Sequence, residues 1–186
     1  MFPARGSRFT RAAVAALLLA IAAGCTAPTN PWFVAAEKGN VRTVKTMLDD
    51  GTDVNMRNAD GETALMVAAR NNDDSTALLL MNRGADVNAA DNQGYTTLMA
   101  ASSGGNVGIV IGLLQRGVNV NAVSNDGTTA LIAAARSGRT GAADVLLSKR
   151  ADPNARDQSG MTALGYAKKN KYNHLINLLE ESGAKE

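Results

Sequence analysis

A second cysteine and a second histidine are both missing from this chain of 186 residues. Cys25 alone cannot close an intrachain disulfide, so stability owes nothing to an oxidising compartment. His174, with no other histidine and no further thiol, is a poor basis for a metal site, which draws on several nitrogen or sulfur donors. Also lacking is an apolar stretch long enough to cross a bilayer. The uncharged run at residues 12–23 is 12 residues long, against the roughly 20 that a spanning helix needs. No phosphate-cradling loop is present, and no serine, cysteine or lysine sits beside a base in a recognisable motif. An enzyme is therefore the weak reading, and neither a cofactor nor a small-molecule substrate is indicated.

What does stand at the N-terminus is an export pattern. Arg5, Arg8 and Arg11 precede the 12–23 run, whose length falls in the roughly 7–15-residue range of a secretory signal's apolar core. The next residues, Ala22-Ala23-Gly24-Cys25, resemble the lipobox of bacterial lipoproteins, in which the cysteine is acylated and becomes the mature N-terminus. Ala22 departs from the leucine that this motif prefers three residues before the cysteine. The resemblance implies a signal peptide over 1–24, a lipidated Cys25 and short tether over 25–30, and a permanent anchor, because two or more acyl chains hold stably where one does not. Thr26, in place of aspartate after the cysteine, implies the outer membrane and a periplasm-facing domain. The formal charge of +2 includes the three arginines of the leader; without residues 1–24, 16 basic side chains face 17 acidic ones. The basic balance belongs to the precursor and gives no support to nucleic-acid binding.

The remainder repeats itself. Residues 60–70 read DGETALMVAAR, 93–103 QGYTTLMAASS, 126–136 DGTTALIAAAR and 159–169 SGMTALGYAKK. Gly61, Gly94, Gly127 and Gly160 are spaced by 33 residues, and Thr63, Thr96, Thr129 and Thr162 keep the same step. So do Leu65, Leu98, Leu131 and Leu164, and a second phrase recurs as GTDVNM, GADVNA, GVNVNA and RADPNA. A period in the 20–50 range signals a stacked array. Each glycine supplies a turn, and each threonine is placed to cap a helix with its hydroxyl. Ala68, Ala101, Ala134 and Ala167 are small where helices must approach. Leu80-Met81, Leu113-Leu114 and Leu146-Leu147 form a second apolar stripe, while Asn55, Asn88, Asn121 and Asn154 suit loops, bonding nearby backbone.

This pattern resembles the ankyrin repeat, a turn followed by two antiparallel helices. The resemblance implies an all-α ankyrin-repeat solenoid of about five 33-residue repeats with β-turn fingers: an N-terminal capping repeat over 31–57, repeats over 58–90, 91–123 and 124–156, and a C-terminal capping repeat over 157–186. The family's Thr-Pro-Leu-His becomes Thr-Ala-Leu-Met and its variants here. Arg150 stands where other repeats have glycine, and Asn72 and Lys171 replace the glycine between helices. Asn30-Pro31 is a helix-start signal, and Trp32 occupies the core slot of Leu65. Lys168 and Glu180 replace apolar or small residues where a further repeat would pack, as a terminal repeat's polar outer face requires.

Turn formers around Asp60, Asp91 and Asp126 follow the period and need no calcium. Gly108 and Gly112, a G-x-x-x-G spacing, either permit tight packing or weaken their helix. Function then falls to binding. The resemblance implies that a protein partner meets the concave face through finger tips and first-helix ends. These are Asp60, Glu62, Gln93, Tyr95, Asp126, Thr128, Ser159 and Met161 at the tips, and Glu37, Lys38, Arg70, Asn71, Arg136, Ser137, Lys169 and Asn170 at the helix ends. Tyr95, Arg70 and Arg136 stand out because binding hot spots favour tyrosine and arginine, and none of the three is expected to be needed for stacking. The expected partner is an envelope protein that this chain scaffolds or assists; the alternative is a toxic effector that it neutralises as an immunity protein.

Overall fold

The computed structural model describes residues 30–185. Cys25, the 12–23 run and the tether lie outside the described residues. The chain divides into Met1–Pro31, which falls almost wholly outside them, and Trp32–Glu186. Among the described residues are ten helices: α1 (Pro31–Glu37), α2 (Val41–Asp49), α3 (Ala64–Arg70), α4 (Asp74–Asn82), α5 (Thr97–Gly104), α6 (Val107–Gln115), α7 (Ala130–Arg136), α8 (Thr140–Ser148), α9 (Ala163–Lys169) and α10 (Asn173–Glu181). None of them is long and apolar enough to cross a membrane. The only β pairing among the described residues is two isolated antiparallel bridges, Arg57 with Thr63 and Ala90 with Thr96, closing two of the fingers. The architecture is an all-α repeat solenoid.

Local chemistry sets each start. Thr63, Thr96 and Thr129 accept the amides of Met66, Met99 and Ile132 at 3.3 Å, and Thr162 accepts that of Gly165 at 3.1 Å. These side chains satisfy donors that the first turn leaves orphaned. The second helices α2, α4 and α6 are capped in the same way by Asn40, Asp73 and Asn106. At that position α8 and α10 carry Arg139 and Tyr172, which make no cap bond. Instead, Arg139 donates Nε–H to the Ser103 carbonyl at 3.0 Å.

The two helices of a repeat pack differently. First helices are short and alanine-rich, and α3 and α7 bury six of their seven residues. A Cβ on Gly104 would stand 2.6 Å from the Arg70 carbonyl, so α5 runs directly against the end of α3. Second helices bury only two or three residues each in α4, α6, α8 and α10, among them Leu80, Leu113, Leu146 and Leu179. Tight inner helices and wider outer ones bend such a stack with the first helices inside. Trp32, fully buried, occupies the core slot its period assigns.

Polar rungs fix the repeats against each other. The backbone amides of Asn92, Asn125 and Gln158 donate to the carbonyls of Asp60, Gln93 and Asp126 at 2.8–2.9 Å. Lower down, Asn55, Asn121 and Asn154 accept the amides of Asp86, Asp152 and Lys185 at 2.7–2.8 Å. This corrects the sequence reading that these asparagines bond nearby backbone: their partner lies 31 residues on, in the following repeat. Local turn bonding belongs to the residue two positions earlier, as when Asp53 accepts the Asn55 amide at 2.9 Å. Tight packing likewise does not account for Gly112, where an added Cβ would meet only ordinary contacts at 3.6 and 3.7 Å. Lys168 and Glu180 pair at 3.2 Å.

Arg150, Asn72 and Lys171 keep the left-handed backbone of the glycines they replace, with φ of 65°, 62° and 60°. Such a conformation costs a side-chain-bearing residue roughly 1 kcal/mol, and asparagine less. Arg150→Gly removes that strain but loosens the unfolded chain, which returns part of the gain. The expected net is a stabilisation of a few tenths of a kcal/mol up to about 1, read as a small rise in thermal unfolding midpoint. A clear fall would show that the Arg150 side chain contributes contacts that outweigh its strain.

Candidate functional site

Finger tips and first-helix ends form two parallel columns on the inner side. The tip column runs Glu62, Tyr95, Thr128, Met161; the helix-end column runs Arg70, Ser103, Arg136, Lys169. Within a repeat the columns touch. Arg70 pairs with Glu62, and Arg136 donates to Thr128 Oγ1 at 3.0 Å. Burial opposes the charge on Glu62, but the bonds from Arg70 and Asn58 prevail and hold its pKa below the usual value.

Tyr95 is half-buried, and its hydroxyl donates to the Met99 carbonyl at 3.2 Å. Burial pushes this phenol's pKa up, while Ser103 and the charges of Arg136 and Arg70 oppose the rise. A cleft of about 500 Å³ opens between two fingers, lined by Asp60, Glu62, Arg70, Asp91, Asn92 and Gln93. Gln93, Lys169 and Asn71 are exposed, though Asn71 also donates to the Glu37 carbonyl at 3.1 Å. Met161 is half-buried, with its methyl 3.1 Å from where a Gly165 Cβ would be.

Two expectations need correcting. Thr128 is 1% exposed and is not an open tip residue. Its amide and hydroxyl both bond Asp126, at 3.1 and 2.9 Å, and the hydroxyl also accepts Arg136, so its polar groups are already taken within the repeat. Asp126 itself stays exposed and holds its proton weakly, because the bond from Ser124 outweighs burial, with Thr128 and Arg136 adding to it. Arg136 is not dispensable for stacking either. It crosses to the next repeat, donating to Asp157 Oδ2 at 2.7 Å and to the Tyr166 hydroxyl at 3.1 Å, with its guanidinium 4.7 Å from the Tyr166 ring centre.

The residue that organises this lock, Asp157, was missed. Its side chain is 1% exposed. One oxygen accepts the amides of Ser159 and Met161 at 2.9 and 3.0 Å, and the other accepts Arg136 and the Tyr166 hydroxyl. A signal was available: Asn58, Asp91, Ser124 and Asp157 form their own 33-step column of turn formers. Asn58 and Asp91 each accept two amides of their own finger. Grouping Asp91 with Asp60 and Asp126 mixed that column with the exposed one two residues later.

Burial raises the Asp157 pKa, but the bonds from Tyr166, Arg136 and the two amides overcome it and bring it from 3.8 to about 2. A depressed acid contributes stability that is complete above its unfolded value and lost as pH falls through its folded one. Between pH 4 and 2 the wild-type unfolding midpoint is expected to fall more steeply than that of Asp157→Asn. At neutral pH that variant is expected to be about 2 kcal/mol less stable. Parallel acid profiles for the two chains would assign the acid sensitivity to other groups.

A comparison with curated proteins yields no match. The sequence profile described as Ankyrin repeats (3 copies) matches four times in overlapping registers, at residues 11–91, 32–124, 78–157 and 113–186. Ankyrin-repeat proteins are typically interaction scaffolds without enzymatic activity. With its helix pairs, its fingers and these matches across most of its length, the chain belongs to the ankyrin-repeat family.

Proposed function

We propose that this is an exported, lipid-anchored ankyrin-repeat protein that binds an envelope protein through its concave face and scaffolds or assists it. The binding half of the reading is carried by one observation: the open polar cleft between the fingers that carry Asp60 and Gln93, with Arg70 in its wall. Tyrosine and arginine concentrate binding energy, and Asp60 and Asp91 line the same cleft, which suits a basic side chain from the partner. The location half rests on the leader and on Ala22-Ala23-Gly24-Cys25. Only residues 26–29 separate Cys25 from Asn30, so an acylated cysteine would keep the first repeat within about 17 Å of the lipid. The partner would then be something reachable from the membrane surface.

Crosslinking in the native envelope followed by mass spectrometry identifies the partner, and capture is then measured with purified protein. Arg70→Ala, Gln93→Ala and Tyr95→Phe combined leave Arg136 and the Tyr95 ring in place. They are expected to weaken capture at least tenfold, or about 1.4 kcal/mol, with cooperative unfolding preserved. Arg42, Ser75 and His174, all exposed on outer helices, serve as alanine controls with little expected effect. Cys25→Ser is expected to move the chain out of the membrane fraction without changing capture in solution. Capture lost in the control but not in the groove variant would contradict the concave assignment; a wild-type chain without acyl mass, washing freely from membranes, would contradict the anchor.

A further inference from the structure

Along one row of the outer face the apolar side chains stand together on the middle helices. One position per repeat points away from the core along α2, α4, α6, α8 and α10, and it is filled by Lys45, Leu78, Ile111, Asp144 and Asn177, all exposed. Leu78 is 54% exposed and Ile111 38%, with Val107 beside them at 37%. Between α4 and α6 runs a groove of about 360 Å³ whose walls include Leu78, Met81, Gly108 and Gly112. A glycine in α6 costs roughly 1 kcal/mol of stability, and at Gly112 the fold does not require it, since a Cβ there would meet only ordinary contacts. Burying exposed leucine and isoleucine is worth far more than leaving them in water.

We propose that a second copy of this chain docks on this face, about a two-fold axis lying along the helices. The order of the row is the argument. Such an axis preserves helix direction and reverses the order of repeats, so each contact occurs twice. Leu78 then faces the second copy's Ile111, and Lys45 faces the second copy's Asp144. From α2 to α8 the row is complementary to its own reverse, apolar in the middle with opposite charges on either side, and α10 with Asn177 extends beyond that contact. An unrelated protein or a lipid surface would have no need of that order. In the neighbouring row, Asp50 faces Lys149 in the same sense. Arg83 and Arg116 also meet there as like charges, but Arg83 is held by Asp49 at 2.7 Å and Arg116 is turned back onto the Gly112 carbonyl at 2.9 Å. Lys45, which pairs with Asp49 at 2.7 Å in the single chain, would be shared between the two carboxylates. The concave face stays free for its partner, and the inference stands independently of what that partner is.

Sedimentation velocity of the full chain tests this, with Cys25→Ser in every sample so that acylation does not decide the result. The expected result is a concentration-dependent monomer–dimer equilibrium. Leu78→Lys with Ile111→Lys should weaken the dimer at least tenfold while leaving helical signal and unfolding midpoint unchanged, because both side chains are exposed. Lys45→Asp and Asp144→Lys should each weaken it, and the two together should restore it. A chain that remains monomeric at all concentrations overturns the proposal, as does a dimer indifferent to the Leu78 and Ile111 changes. A charge swap that fails to restore association overturns the two-fold geometry. If the chain stays monomeric and the lysine changes instead abolish binding to phosphatidylethanolamine–phosphatidylglycerol vesicles, the face meets lipid rather than a second copy.

Discussion

Everything in this protein depends on one constraint: each repeat must sit on the next in a single register, because no repeat buries its apolar face alone. Alanine-rich helices cannot set that register, since small side chains slide past one another with little change in contact. The finger amides can. The bonds from Asn92, Asn125 and Gln158 to the preceding finger, and those from Asp86, Asp152 and Lys185 to the preceding asparagines, are directional. Each is worth only about 1 kcal/mol net. Their effect is to make one alignment the one in which these directional donors and acceptors meet each other.

The same logic separates residues that hold the stack from residues free to bind. Arg136 and Arg70 are equivalent by period, yet Arg136 bridges to Asp157 and Tyr166 while Arg70 pairs only within its own repeat, with Glu62. The difference comes from the neighbour. Where the next finger presents Asp157, it also has Tyr166 on α9 to complete the cage. Tyr166 itself occupies the slot of Ala100 and Ala133. The C-terminal half of the inner face is therefore tied together by charge, and the cleft near Arg70 is left open.

Much of this was legible in the sequence. The 33-residue period located the caps, because Thr63 and its equivalents each stand one turn ahead of an amide that only a side chain can satisfy. It also placed Trp32 in the core and showed that Arg150, Asn72 and Lys171 stand in glycine positions. What escaped were contacts between repeats. Asn55 looks like an ordinary turn former, and nothing in its local sequence says that its acceptor faces an amide 31 residues away. Thr128 looks like an open tip residue by its place in the period, until its hydroxyl is taken up by Asp126 and Arg136 and its backbone by Ser124. Arg136 looks free for the same reason. Periodicity finds the column and is blind to what one member of it touches.

The register claim is tested most directly by amide hydrogen exchange at the rungs. Asn92, Asn125, Gln158, Asp86 and Asp152 all lie in loops and carry exposed side chains, where unbonded amides would exchange at nearly the free rate. If inter-repeat bonds fix the stack, these amides should open only when repeats separate and should be protected comparably to the amides of α5 and α7. Exchange at ordinary loop rates, with α5 and α7 still protected, would show that alanine packing alone sets the register and would contradict the account.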